Sequence, residues 1–273
     1  MPWRHRCCDE LHTNPPLTLR PVKTQMNIMQ ITSAFAGIAL AFACGSNPVP
    51  ATAEPVSPSA PAAPVAQAQP APEVDQTGDA ANGLFAIITT RLGTIKVMLD
   101  YKDAPVTVAN FVALAQGKQH NTAKPDGTPF YDGLIFHRVI PGFMIQGGDP
   151  NGTGAGGPGY TFPDELDASK ESYKAGYLAG VMAMANRGPN TNGSQFFIMH
   201  KDFALPHNYS IFGKVVSGME AVDAIANLPR NGQDRPNEEV GMKVKIEAVG
   251  KDAKAFDAKK VLEENKDKFL KGR

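Results

Sequence analysis

Between about residues 82 and 250 short β-rich runs follow one another without the intervening helices that a parallel sheet requires, and this pattern limits the possible folds most. Phe85–Thr90 and Thr94–Asp100, joined by a turn at Gly93, have the form of a hairpin. Further runs are Leu134–Val139, Phe143–Gly147, Tyr177–Ala183, Gln195–Met199, Ile211–Val216 and Val244–Val249. Two helical patterns interrupt them. Ala104–Gln116 has Pro105 suited to its first turn, Val108, Phe111, Val112 and Ala115 on one face, and Gly117 as a stop; the second is Met219–Ala226. Eight strands and two helices with no βαβ rhythm predict a mainly β fold, a closed eight-stranded antiparallel barrel capped by two α-helices. The span suits one domain with a single core.

The residues before this domain cannot extend its core. Asn47–Glu73 holds 8 Pro and 8 Ala in 27 residues and no aromatic, so it reads as a semi-rigid, disordered spacer that could reach up to about 80 Å when extended. Upstream, Ile31–Ala43 is an uncharged apolar run of 13 residues ending in small side chains, which is the length of a signal-peptide core and short of the about 20 residues of a spanning helix. Only Arg20 and Lys23 supply charge just before it, and Met26 as a start would leave none, so a start near Val22 or upstream of it is expected. Ala41-Phe42-Ala43-Cys44 resembles a bacterial lipobox, with Leu40 one place early. Cys44 is therefore the expected lipidation site, with ordinary cleavage near Ala43 as the alternative. The expected organisation is residues 1–43 as upstream segment and signal peptide, 44–81 as lipobox Cys and linker, 82–250 as the folded domain, and 251–273 as a charged helical extension. Its apolar Phe256, Val261, Leu262 and Phe269 could dock, although a solvated surface helix is the preferred reading. Export to the periplasmic side of a bacterial membrane follows, either lipid-anchored or soluble.

Several chemistries are excluded. Lys plus Arg equals Asp plus Glu at 27 each; without residues 1–43, which hold four basic and two acidic groups, 23 basic stand against 25 acidic, a net of −2. No basic field exists to release counterions from nucleic acid. After Cys44 there is no cysteine, so neither disulfides nor thiol chemistry can operate in the domain. Gly152-Thr153-Gly154-Ala155-Gly156-Gly157 satisfies G-x-G-x-x-G, yet Pro158-Gly159-Tyr160 continues as loop where a phosphate-binding helix would have to begin. Ser194 precedes a strand rather than occupying a strand-to-helix elbow, and G-x-S-x-G is absent. His120, His137, His200 and His207 lie in separate segments without ligand spacing, so no metal and no cofactor is expected.

Two runs remain. Phe136-His137-Arg138-Val139-Ile140-Pro141-Gly142-Phe143-Met144-Ile145-Gln146-Gly147 places a cation on a strand among apolar residues, and two-residue periodicity puts Arg138 opposite Val139 and on the same face as Phe136. Met184-Ala185-Asn186-Arg187-Gly188-Pro189-Asn190-Thr191-Asn192-Gly193-Ser194-Gln195-Phe196-Phe197-Ile198 adds a Gly/Asn loop with amides and paired Phe.

Together with Ser210-Ile211-Phe212-Gly213-Lys214-Val215, these runs closely resemble the cyclophilin family of peptidyl-prolyl cis/trans isomerases, over roughly Gly83 to Val249. The resemblance implies an eight-stranded barrel with two capping helices and a groove for an Xaa-Pro segment. It implies Arg138 as the catalytic residue, with Phe143, Met144, Phe197 and Leu205 around the proline ring. Gln146, Ala185, Asn186 and Gln195 would contact the substrate backbone, His137 would belong to the same groove, and Tyr209 would stand at the rim position where many members have His. The implied partners are proline-containing polypeptides, with the protein itself monomeric. A non-catalytic module that holds Pro-containing partners at a membrane is the alternative, and the presence of Arg138 favours the enzyme. The chain departs from the pattern at the rim, where many members carry Trp: its one Trp is Trp3, and Phe203-Ala204-Leu205-Pro206 is shortened there. That departure bears on cyclosporin affinity rather than on catalysis.

Overall fold

A computed structural model describes residues 82–271. Cys44, the apolar run and the Pro/Ala-rich spacer lie outside the described residues. In chain order the elements are β1 (Gly83–Thr90), β2 (Gly93–Leu99), α1 (Pro105–Ala115), β3 (Phe136–Ile140), β4 (Met144–Gly147), β5 (Tyr160–Thr161), α2 (Glu171–Ala175), β6 (Val181–Met184), β7 (Phe196–Met199), β8 (Ile211–Ser217), α3 (Met219–Ala226) and β9 (Lys243–Val249). The extension then forms α4 (Lys251–Ala255), α5 (Ala258–Glu264), a 3-10 turn over Lys266–Lys268 and β10 (Leu270–Lys271).

Eight strands form one antiparallel sheet in the order β3-β4-β7-β6-β8-β2-β1-β9, curled into a half-barrel. The ladder is open between its edges β3 and β9. Where those strands begin, the Phe136 N–H donates to the Val240 carbonyl at 3.0 Å, Gly133 to Met242 at 2.9 Å and Met242 to Leu134 at 2.8 Å. In the β1–β2 hairpin, Leu84, Ala86, Ile88, Ile95, Val97 and Leu99 point into the core, as alternation requires. Phe85, on the other face, is sheltered by the Lys96 ammonium 4.3 Å from its ring centroid.

The centre of the core is aromatic: Phe111 of α1 lies 4.7 Å from Tyr131 and 5.7 Å from Phe196, and Phe136 lies 6.2 Å from Phe196, the last two pairs edge-to-face. Helix α1 starts with Pro in its first turn as expected, but its Ala104 cap offers no side-chain acceptor. Glu165 supplies one from a distant loop, accepting from the Val106 and Thr107 N–H groups at 3.1 and 2.8 Å. The buried Asn110 amide donates to the Gly193 carbonyl at 3.0 Å and so ties α1 to the Gly/Asn loop.

The structure adds the short strand β5 and helix α2 to the eight strands and two helices expected, and differs from the sequence reading in three further places. The run Tyr177–Ala183 is strand only from Val181; before it the chain turns through Gly180 at φ 82°, and Tyr177 packs into the cluster of Met144, Phe197 and Ile211, where its hydroxyl exchanges bonds with Tyr209. Phe136 and Arg138 do not share a face, because β3 carries a bulge between them: Phe136 faces Gly147 and Arg138 faces Gln146, so His137 is the extra residue. The extension is no solvated helix. Ala253, Ala258 and Leu262 are buried, α5 covers α1, and Phe256 rests 5.2 Å from Tyr101. Phe269 packs against Tyr160 and Phe162 at 5.5 and 5.4 Å, and β10 pairs with β5. This also explains why α1 is buried all round rather than on one stripe. Leu262→Ala is expected to lower stability to urea unfolding by about 2–3 kcal/mol; an unchanged midpoint would show that the extension does not dock.

Candidate active site

The sheet is covered on both faces along β4, β7 and β6. The inner row Val139, Ile145, Ile198 and Met182 enters the main core, while Met144, Phe197, Ala183, Met199, Val181, Tyr177 and Ile211 form a second apolar cluster on the outer face. That is why β6 and β7 are buried at every position instead of alternating. On this outer floor, Arg138 of β3 is paired in register with Gln146 of β4, which in turn is paired with Phe197 of β7. A cleft of about 230 Å³ opens above them. It is lined by Arg138, Phe143, Met144, Gln146, Ala185, Asn186, Phe197, Leu205 and Tyr209, nine of the eleven residues expected from the sequence.

The polar wall is a chain of amides. Arg138 Nη1 donates to Gln146 Oε1 at 3.5 Å, Gln146 Nε2 donates to Gln195 Oε1 at 3.0 Å, and Gln195 Nε2 donates to the carbonyls of Gly154 and Gly156 at 3.0 and 2.9 Å. The glycine-rich loop is held from within by Asp149, whose carboxylate accepts from the N–H groups of Asn151, Thr153, Gly154 and Gly156. Burial alone would raise the Asp149 carboxyl, but these backbone donors, helped by nearby His137, bring it below its ordinary value. Gln195 does not line the first cleft. It faces a second cavity of about 350 Å³ that shares Gln146, Ala185 and Asn186 and is bounded by residues 154–161 and by Arg187, which bonds the Ala155 carbonyl.

The apolar wall is set by stacking and by a tyrosine clasp. Phe197 meets Tyr209 edge-on at 5.5 Å, and the Tyr177 hydroxyl accepts from the Tyr209 N–H and donates to its carbonyl at 3.0 and 2.9 Å. Asn186 is aimed by its Nδ2 bond to the Asn208 carbonyl at 2.9 Å. Phe203, which is not among the site residues that the sequence implies, is nearly half exposed and lies 4.6 Å from Phe143 at the rim. The shortened Phe203–Pro206 segment was the only available signal for it. His137, expected in the groove, lines neither cavity. The bulge turns its ring beneath the glycine-rich loop, where both ring nitrogens are buried without a partner among the described residues.

A model of the cyclophilin type peptidyl-prolyl cis-trans isomerase/CLD family matches residues 85–248. The chain belongs to the cyclophilin-type peptidyl-prolyl cis-trans isomerases. It is 51% identical over 173 residues to the probable peptidyl-prolyl cis-trans isomerase A of Mycobacterium leprae, covering 60% of this chain and 92% of that one. It is 47% identical over 168 residues to peptidyl-prolyl cis-trans isomerase B of Streptomyces anulatus, covering 59% and 94%. Among solved structures it is similar to a cyclophilin-type isomerase of Cryptosporidium parvum determined in the presence of the dipeptide Ala-Pro, at TM-score 0.51 and 34% identity, covering 61% of this chain and 99% of that one. The family match ends at residue 248, so the docked extension lies outside it.

Burial pushes the His137 imidazole below its ordinary 6.5, with Asp149 opposing and Arg235 and Arg138 adding to the depression. The unfolded chain therefore takes up this proton first on acidification, and folding stability falls as pH drops below about 6.5, until the folded imidazole also titrates. His137→Gln should flatten that part of a stability-against-pH curve measured by urea unfolding; an unaltered slope would contradict the assignment.

Proposed function

We propose that this cyclophilin accelerates rotation of Xaa-Pro bonds in polypeptides with Arg138 as its catalytic residue, serving protein folding in the cell envelope. The observation that carries the reading is a guanidinium fixed at the edge of a cleft whose floor, Phe143, Met144, Phe197 and Leu205, is apolar and of a size for a proline ring. Rotation costs about 20 kcal/mol because amide resonance is lost, and the imide nitrogen becomes pyramidal and basic as it proceeds. A cation donating to the proline carbonyl and facing that nitrogen stabilises the twisted state more than either planar one. The ring is meanwhile held by the apolar floor, so the carbonyl side of the bond can turn against it. Arg suits the task because its planar guanidinium presents several donors in a fixed fork.

In this reading Gln146, Ala185, Asn186 and Gln195 hold the peptide backbone, and Tyr209 closes the rim. The amide chain from Arg138 to the glycine-rich loop supports the first of these roles. The three backbone bonds between residues 133–136 and 240–242 likewise favour reading the curled sheet as a closed barrel. Arg138→Ala is expected to lower kcat/KM on a proline tetrapeptide by more than about tenfold while the circular dichroism spectrum persists; a folded variant with near-normal turnover would remove Arg138 from the mechanism.

The domain is further proposed to stand as a monomer on a lipid-anchored tether, with Cys44 as the modified residue, on the strength of the apolar run and Pro/Ala-rich spacer that flank it. A palmitate analogue should label the full chain and not Cys44→Ala; equal labelling of both would refute the anchor.

A further inference from the structure

Arg138 has a second partner that belongs to none of the motifs around it. The loop between α3 and β9 brings Asp234 against β3, where its carbonyl accepts the Val139 N–H at 2.8 Å, so the residue is pinned to the strand immediately beside Arg138. Its carboxylate lies between two guanidiniums. Oδ1 accepts from Arg230 Nε at 3.2 Å, and Oδ2 lies 3.8 Å from Arg138 Nε. Asp234 adopts φ 61°, one of only two non-glycine residues with positive φ among the described residues. Such backbone normally favours glycine and persists where the surroundings over-determine it. Here the surroundings are the tight turn made by Asn231, whose side chain accepts from the Gln233 and Arg235 N–H groups at 2.9 and 3.1 Å, and the Arg235 bond to the Gly152 carbonyl.

We propose that Asp234 is a positioning residue for Arg138: its carboxylate, held by Arg230, faces the Nε edge of the guanidinium while Gln146 holds Nη1, so the remaining N–H groups point into the cleft. This rests on the reading of Arg138 as catalytic. A guanidinium on a four-bond side chain, nearly half exposed, samples many rotamers unless both edges are held, and a group that must meet the imide only in the twisted state gains from being fixed beforehand. Exposed ion pairs contribute little to stability, so the pair's effect lies in orientation.

Asp234→Gly separates the two roles, because glycine suits the positive φ and removes the carboxylate. Its thermal midpoint should equal or exceed that of the parent, while kcat falls about fivefold with KM unchanged within about twofold. Asp234→Asn, which also tolerates this backbone, should lower kcat less. On the Arg138→Ala background, followed at higher enzyme concentration, Asp234→Gly should cause no further loss. Wild-type or higher kcat in folded Asp234→Gly and Asp234→Asn overturns the proposal, as does an equal fold-loss with and without Arg138. If Arg138→Ala itself retains full turnover, the catalytic reading fails and the positioning role with it. If Arg138→Ala is inactive while both Asp234 variants turn over normally, only the positioning role fails.

Discussion

Because β3 carries one more residue than β4 between Phe136 and Arg138, the strand enters the sheet with Phe136 in the aromatic core and leaves it with Arg138 on the outer face. Without that extra residue, strict alternation would bring Arg138 onto the side of Phe136, and a buried guanidinium would need partners that the aromatic core lacks. The bulge also pairs Arg138 with Gln146, and through the continuing register with Phe197, so one row across three strands carries both the cation and the apolar floor. His137 bears the cost of this arrangement, with both ring nitrogens buried and unbonded among the described residues.

From that row the site is built by relay rather than by direct contact. Gln146 and Gln195 transmit position from the guanidinium to the glycine-rich loop, and Asp149 fixes the loop in turn through four backbone donors. Amides suit such a chain because each both donates and accepts, so no link carries a net charge that would compete with Arg138. The docked extension reaches the far side of the same loop: β10 pairs with β5, and Phe269 packs on Tyr160, which lines the second cavity. A segment outside the family match thereby buttresses one wall of the site.

The strands were legible wherever one face met the core and the other met water, as in the β1–β2 hairpin with its buried Leu84, Ala86 and Ile88. They were less legible near the cleft, where apolar clusters on both faces of β6 and β7 erase the alternation and a turn at Tyr177–Gly180 looks as apolar as the strand after it. Seven of the nine residues that line the cleft come together because the two motifs occupy neighbouring strands, β3–β4 and β6–β7, while Leu205 and Tyr209 reach it from the connection between β7 and β8. His137 was misplaced because a bulge has no composition signal here. Asp234 lies in a loop whose local sequence says nothing of what it meets.

The sequence by itself determined that the domain is mainly β and antiparallel and that thiols take no part in it. These follow from local pattern and composition, which act along the chain. Which way Arg138 points, which acid faces it, and whether a charged tail floats or packs were decided only in the tertiary structure. Each depends on groups far apart in sequence: Asp234 beside Arg138, Glu165 at the start of α1, Phe269 against Tyr160. Such pairings depend on the register of strands and the burial of aromatic rings, and neither is a property of any short segment.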